Sequence, residues 1–257
     1  MIRIIADNDK TINPYVFLFL LVISCIHLVF TLSLMVFLRI PTLPNLPVNA
    51  GIDIFPVIIV SIRILIFGVA IYTGLYLGKE IGFGAPLLEQ WQDGRDGPLS
   101  AISVIRISVF FGILVAIGKT ILDRFIFGSF VPPIMEQWKE VPLLLRAVIP
   151  FEQGIGVEII ARLFWMTILV WIFYKIQKPE NNQPTSVGVW IPIIIIAILS
   201  TSGTLFWNSD TLVKIQAVVL TAIGGIVYGW LYWKKGIESA IIAHFSSGVL
   251  LVIISLV

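Results

Sequence analysis

The stretch GIVYGWLYWKKGIESAIIAHFSSGVL, residues Gly225–Leu250, decides the fold. It contains the end of one apolar helix, a rim of aromatic residues and lysines, the short turn KKG, and the start of a second apolar helix. A turn this short makes the two helices antiparallel neighbours. His244 lies in the second helix, and a titratable ring in an apolar run usually faces the protein interior, because it is costly in hydrocarbon.

The whole chain shares this apolar character. Of its 257 residues, 58% are hydrophobic and 12% are charged, which is about half the charge of an ordinary soluble domain. Several apolar runs reach about 20 residues, the length that crosses about 30 Å of hydrocarbon. Apolar and polar residues do not alternate at a period of two, so membrane strands are not expected. The composition therefore predicts an all-α, polytopic transmembrane helical bundle.

We predict about seven membrane spans within a single membrane domain covering residues 1–257. The positive-inside rule places the N-terminus in the cytoplasm, because Lys and Arg are slightly more frequent in the loops on that side. We expect an integral protein of a bacterial plasma membrane. The predicted spans are Pro14–Leu38, Ile54–Leu77, Leu99–Leu122, Pro150–Tyr174, Val187–Phe206, Ile215–Trp233 and Ile237–Val257.

The fourth predicted span carries an acidic and a basic residue on one face. Glu158 and Arg162 are four residues apart, with the acid nearer the N-terminus, which is the favourable order for an ion pair in a helix. One interpretation is a structural pair that hides a charge in the membrane. The other is a carboxylate that positions or activates water, with the arginine holding the carboxylate in place.

Two further polar residues have alternative interpretations. Asp210 follows Asn208 and Ser209 at a helix boundary, where an aspartate is commonly a turn or cap residue; the alternative is a metal ligand at the membrane surface. His244 has no second histidine at helical spacing, so it is either a hydrogen-bonded core residue or one ligand of a metal. Cys25 is the single cysteine, which excludes an internal disulfide and a multi-cysteine metal site.

Three stretches together resemble the CAAX prenyl protease and bacteriocin-processing (CPBP, or Abi) family of intramembrane proteases. GIGVEIIARLF, Gly154–Phe164, is similar to the family's Glu-Glu-x-x-x-Arg motif. TLFWNSD, Thr204–Asp210, is similar in place to its Phe-x-x-x-His motif. GIVYGWLYWKKGIESAIIAHFSSG, Gly225–Gly248, resembles its last motif, a small-residue helix followed by a turn, an acidic residue and a histidine. The resemblance covers residues 74–257, with the core motifs in 150–257.

This resemblance implies an intramembrane metalloprotease, in which a glutamate activates water and two histidines hold a metal such as zinc. Carried over by position, it implies Glu158 and His244 as catalytic residues, His244 and Asp210 as metal ligands, and Arg162 as a supporting residue. The reaction would be hydrolysis of a peptide bond at or within the membrane.

The sequence departs from the family pattern at three positions. Val157 stands where the first glutamate is expected, Asp210 where the first histidine is expected, and Gly248 where Asn or Asp is expected. A valine cannot take a proton, and loss of a positioned general base typically lowers the rate by about 10²–10⁴. Aspartate can still bind a metal, whereas glycine offers no side-chain partner.

Two main hypotheses follow. The first is a divergent protease that uses Asp210, His244 and Glu158 around one metal. The second is a catalytically inactive family member that acts as a membrane scaffold, chaperone or immunity protein. A small transporter is disfavoured, because inverted repeats are absent. The expected partners are a membrane-embedded or membrane-associated peptide or protein and the lipid bilayer. No basic stripe indicates nucleic acid.

Overall fold

A computed structural model describes the chain over residues 11–37, 54–92, 94, 101–130, 142–177, 179, 183–201 and 210–256. Within these ranges the chain forms helices and connecting turns, with no strand. The predicted all-α fold is therefore confirmed.

The helices are numbered in chain order, and the fifth, α5, is composite. The others are α1 Pro14–Phe37, α2 Ile54–Ile81, α3 Pro86–Gln92, α4 Ala101–Ile121, α6 Ser186–Leu199, α7 Thr211–Lys235 and α8 Ile237–Ile254.

Helix α5 changes its winding along its length. It begins with the α-helical segment Leu143–Phe151, continues through π-helical turns over Glu152–Val157 and Ile159–Met166, and ends with the α-helical segment Thr167–Gln177. Pro150 lies just before the first π-helical turn, and a proline removes one amide donor from the helical ladder. Wider π-helical turns often occur at functional sites, where they redirect side chains. In this chain they hold the Glu158 and Arg162 motif.

The helices have the dimensions of membrane spans. Five described helical segments are long and apolar enough to cross a bilayer, and they correspond to α2, α4, α5, α7 and α8. The described apolar parts of α1 and α6 are shorter. Every predicted span overlaps one of these seven helices, and the protein is an integral membrane protein. The number of spans, the bacterial plasma membrane, the cytoplasmic N-terminus and the single domain stay predictions.

Helix α8 lies between three other helices. It packs against α4, α7 and α5, while the far side of α5 packs against α2, and α6 packs against α7. Gly236 joins α7 to α8 with a φ of +95°, a conformation that glycine adopts without the steric cost of a side chain. The antiparallel pairing predicted from the KKG turn is therefore present, and it places His244 in the interior of the bundle.

The loop that connects α2 to α3 is fixed onto the start of α8. Phe83 and Ala85 are buried, and the Ile237 amide donates a hydrogen bond to the Gly84 carbonyl at 3.0 Å. The apolar segment GFGAPLLE therefore packs into the bundle, which follows from its composition.

Glu238 completes this attachment. Its Oε1 accepts hydrogen bonds from the amides of Leu87 and Leu88, both at 2.9 Å, so it caps the start of α3 from the neighbouring helix. These are two of the amides that a helix leaves without partners at its N-terminus.

Replacing Glu238 with alanine is expected to release the start of α3. Loss of the acceptor leaves two partly buried amides unpaired, at a cost of about 1–3 kcal/mol. Hydrogen–deuterium exchange of the peptide containing Leu87 and Leu88 should accelerate, while exchange in α4 should not change. Glu238→Gln retains an amide carbonyl and should show a smaller effect, and equal exchange in all three proteins would contradict the capping role.

Candidate functional site

Glu158 is the centre of a buried polar cluster. Its side chain is 0% exposed. Oε1 lies 2.7 Å from His244 Nδ1, and Oε2 lies 3.3 Å from Arg162 Nε. The structure therefore brings together three residues that the sequence singled out: Glu158, Arg162 and His244.

Two glycines allow the helices that carry these residues to approach each other. A β-carbon at Gly154 would lie 3.3 Å from Phe245 of α8, and a β-carbon at Gly248 would lie 3.0 Å from Pro150 of α5. Because small residues let helix backbones come close, the carboxylate on α5 reaches the imidazole on α8.

The Gly248 contact gives a physical reason for one departure from the family pattern. The three atoms nearest to a β-carbon at this position all belong to Pro150 and lie 3.0–3.2 Å away. An asparagine or aspartate side chain there would require α5 and α8 to move apart. Glycine at 248 is therefore matched to the close packing at Pro150.

Helix α7 supplies the outer contacts of the cluster. Arg162 donates a hydrogen bond from one of its terminal nitrogens to the Gly225 carbonyl at 3.2 Å, and its guanidinium lies 6.0 Å from the centroid of the Tyr228 ring. The Tyr228 ring in turn stacks on His244, with 4.6 Å between centroids and 23° between planes. The beginning of the GIVYGWLY stretch is thus part of the site as well as a packing surface.

Lys119 adds a second positive charge. This half-buried residue of α4 interacts electrostatically with both Glu158 and Arg162. Its Nζ lies 3.1 Å from the point that a β-carbon of Gly224 would occupy, so the small residue gives the ammonium group room. Sequence reasoning missed Lys119 and Tyr228, because nothing in the linear spacing connects these positions with Glu158.

Asp210 is not brought to this cluster. It is the exposed N-cap residue of α7, and its Oδ1 accepts from the amides of Leu212 at 2.8 Å and Val213 at 3.4 Å. Tyr228, which touches His244, lies 18 residues further along the same helix, or about 27 Å along its axis. The geometry therefore agrees with the cap interpretation of Asp210.

The donor set does not fit a zinc ion. A structural zinc has four protein ligands and a catalytic zinc usually has three, whereas the cluster offers one carboxylate and one imidazole that already bind each other. Across the described ranges, no group of three or more His, Cys, Asp or Glu side chains is placed to hold a metal. The positive charges of Arg162 and Lys119 also oppose a divalent cation.

Val157 faces a different environment from Glu158. It lines a cavity of about 760 Å³ that also involves Gly156, and α1, α2, α5 and α6 form the walls. Glu158 is not among the lining residues. The position where the family pattern expects a glutamate therefore reaches open space, and the glutamate that this chain does have is directed into the packed interior.

Tyr232 belongs to the aromatic rim of the GIVYGWLYWKKG stretch, yet it is 1% exposed, and its hydroxyl lies 2.7 Å from the Thr167 hydroxyl. His27 is buried with its ring edge-on to Phe67.

Comparison with known families matches the part of the chain that holds this cluster. Residues 137–250 match the family model of Type II CAAX prenyl endopeptidase Rce1-like proteins. Comparisons with curated proteins and with solved structures gave no match. The matched range contains Glu158, Arg162 and His244 together with the three departures from the family pattern, and it confirms the resemblance to the CPBP family. Over residues 137–250 the chain is therefore similar to the type II CAAX prenyl endopeptidase Rce1-like family.

Proposed function

We propose that this protein is a non-hydrolytic member of the CPBP family. It acts in the membrane by binding a membrane-embedded or membrane-associated peptide or protein, as a scaffold, chaperone or immunity protein. One observation carries the proposal. The side chain that reaches the cavity at the position of the family's first glutamate is Val157, and the neighbouring carboxylate, Glu158, is fully buried and paired.

Glu158 is not placed to act as the general base that peptide-bond hydrolysis requires. A general base must lie within hydrogen-bond reach of the water that it deprotonates, directly or through one other water. Glu158 is 0% exposed, and its two oxygens are directed at His244 and Arg162. This arrangement favours a role for Glu158 in holding α5 and α8 together, and it leaves no carboxylate among the described residues that line the cavity.

A second candidate function rests on the Glu158–His244 contact. A carboxylate that orients an imidazole at 2.7 Å is a common part of hydrolytic sites, and His244 retains 15% exposure of its side chain. In this alternative His244 would act as the base for peptide-bond hydrolysis. Against it, the predicted third residue, Asp210, caps the start of α7, 18 residues from the tyrosine that stacks on His244.

The proposal predicts that the purified protein neither binds zinc stoichiometrically nor cleaves peptides. Zinc should be far below one ion per chain after purification in detergent, and Asp210→Ala and His244→Ala should leave this content unchanged. In proteoliposomes with a prenylated peptide that ends in a CAAX sequence, the release of product should equal that of His244→Ala. Elemental analysis tests the metal without any assumption about the substrate, because the ligands and not the substrate hold the ion.

Zinc binding or peptide cleavage would contradict the proposal. One zinc per chain that is lost in both Asp210→Ala and His244→Ala, or product release that His244→Ala abolishes, would overturn the proposal in favour of a divergent protease. Val157→Glu provides a further comparison, since it places a carboxylate at the cavity wall. Peptidase activity in Val157→Glu that the parent lacks would support loss of the base as the reason for the parent's inactivity.

A further inference from the structure

The cavity beside Val157 has an uneven distribution of polarity. Most of its lining residues are aliphatic or aromatic, and the polar side chains are those of His27, Arg63 and Ser200. No carboxylate lines it within the described part of the chain. A cavity of about 760 Å³ lies in the size range of ligand sites, about 300–1,000 Å³.

Arg63 is the unusual member of this lining. It lies within the apolar run of α2, is half-buried, and has no ion pair or hydrogen bond to any other described residue. An arginine inside a membrane span is costly and normally faces a partner or a water-filled cavity. Since no described residue supplies an anion, the geometry of the cavity leaves the guanidinium available to an anion that enters the cavity.

The contacts between helices locate the polar end of the cavity. Glu80 pairs with Lys175, which joins the end of α2 to the end of α5, and Thr185 donates a hydrogen bond to Gln177 at 2.5 Å, which joins the end of α5 to the start of α6. The start of α2 and the end of α6 therefore share the opposite membrane surface.

Arg63 and Ser200 both lie towards that opposite surface. Arg63 is nine residues into α2, which begins at Ile54, or about 14 Å along its axis, and Ser200 caps the end of α6. Deeper in the membrane the wall is apolar, and Phe67, Trp165 and Leu169 contribute to it. The cavity thus has its cationic end on the side of that surface and an apolar wall deeper in the membrane.

We propose that this cavity is a site for an anionic phospholipid of the surrounding bilayer, with its phosphate at Arg63 and one acyl chain against the apolar wall. The guanidinium fork matches phosphate oxygens and favours a bidentate contact. The occupant needs no route from water, because α1, α2, α5 and α6 all belong to the membrane bundle. The proposal concerns lipid binding and does not depend on the absence of hydrolysis.

Photo-crosslinking in lipid nanodiscs tests the site. A phosphatidylglycerol that carries a diazirine near the end of one acyl chain would be used at a low fraction in phosphatidylcholine, with a phosphatidylcholine diazirine for comparison. We expect the phosphatidylglycerol probe to label the peptides that contain Trp165 and Ile195 in preference to the phosphatidylcholine probe. Arg63→Gln should reduce this preference about fivefold, which corresponds to the value of about 1 kcal/mol for a basic side chain beside an anionic lipid.

Matched variants separate the site from a general attraction of anionic lipids to the protein. Arg106→Gln removes an exposed arginine of another membrane helix, α4, and it should leave the labelling preference unchanged. Arg63→Lys keeps the charge and should retain most of the preference. A single peak of the same retention time in size-exclusion chromatography would establish that the variants are folded.

Several outcomes would overturn the proposal. These are equal labelling by the two lipid probes, a preference that survives Arg63→Gln, and a preference lost equally in Arg106→Gln. A diazirine fatty acid that labels the same peptides, depends on Arg63 and displaces the phospholipid probe would identify a free carboxylate as the ligand instead. Displacement by an uncharged hydrophobic peptide, with no effect of Arg63→Gln, would identify a peptide groove. None of these results depends on whether the protein cleaves peptides.

Discussion

Replacing Glu158 with alanine is expected to lower the free energy of unfolding by about 3–5 kcal/mol, the usual cost of removing one partner from a buried ion pair. The substitution leaves Arg162 in the interior without its carboxylate and removes the acceptor at 2.7 Å from His244. Both the contact within α5 and the contact from α5 to α8 would be lost. Reversible unfolding in mixed detergent micelles measures the change.

Two comparisons make this expectation specific. Glu80→Ala removes a carboxylate whose lysine partner, Lys175, is 47% exposed, and a solvated pair of this kind contributes about 0–1 kcal/mol. The double variant Glu158→Met with Arg162→Met removes both charges, so it should be more stable than Glu158→Ala, because no isolated charge remains buried. Equal loss of stability in Glu158→Ala and Glu80→Ala would show that the cluster contributes no more than a surface pair.

Replacing Gly225 with alanine is expected to destabilise the protein by about 3 kcal/mol, the upper end of the usual cost of overpacking. The added methyl group would lie 2.7 Å from Ala197 Cβ and 2.8 Å from Ala197 Cα, and 3.3 Å from the Arg162 guanidinium. Since Ala197 has no flexible side chain to move aside, α6 and α7 would have to separate. The same unfolding measurement applies.

Gly229 provides the matched control, because it forms the GxxxG step with Gly225 on the same helix. A β-carbon at Gly229 would contact the side chain of Ile193 at 3.1 Å, and a side chain can adjust where a backbone cannot. Alanine also gains up to about 1 kcal/mol over glycine in helix propensity, so Gly229→Ala should be close to neutral. If Gly229→Ala were as destabilising as Gly225→Ala, the contact with Ala197 would not be the cause.

Some features of the site followed from local sequence. The four-residue spacing of Glu158 and Arg162 indicated an ion pair, and the structure contains it at 3.3 Å. The polar run before α7 indicated a cap at Asp210, and the cap hydrogen bonds are present. Such features are set by the geometry of one helix or one helix end, so neighbouring residues in the chain are enough to predict them.

Other features depended on where separate helices meet. The contact of Glu158 with His244 did not follow from spacing along the chain, since the two residues lie on separate helices, α5 and α8; only the family resemblance grouped them. Spacing along the chain also did not predict Lys119 and Tyr228, which reach the cluster from α4 and α7. The metal hypothesis grouped Asp210 with His244 by family position, although 18 residues of α7 separate Asp210 from the tyrosine that stacks on His244.

The sequence by itself determined the class of structure, the approximate positions of the membrane helices, the turn at Gly236 and the resemblance to the CPBP family. Hydrophobic length, turn chemistry and motif spacing are local properties, and the cost of placing charge in hydrocarbon acts on each segment separately. Only the tertiary structure decided that Glu158 is sealed against Arg162 and His244 while Val157 and Arg63 line a cavity. A polar side chain is buried or free to contact a ligand according to which other helices pack over it. The packing of the helices against each other decides this.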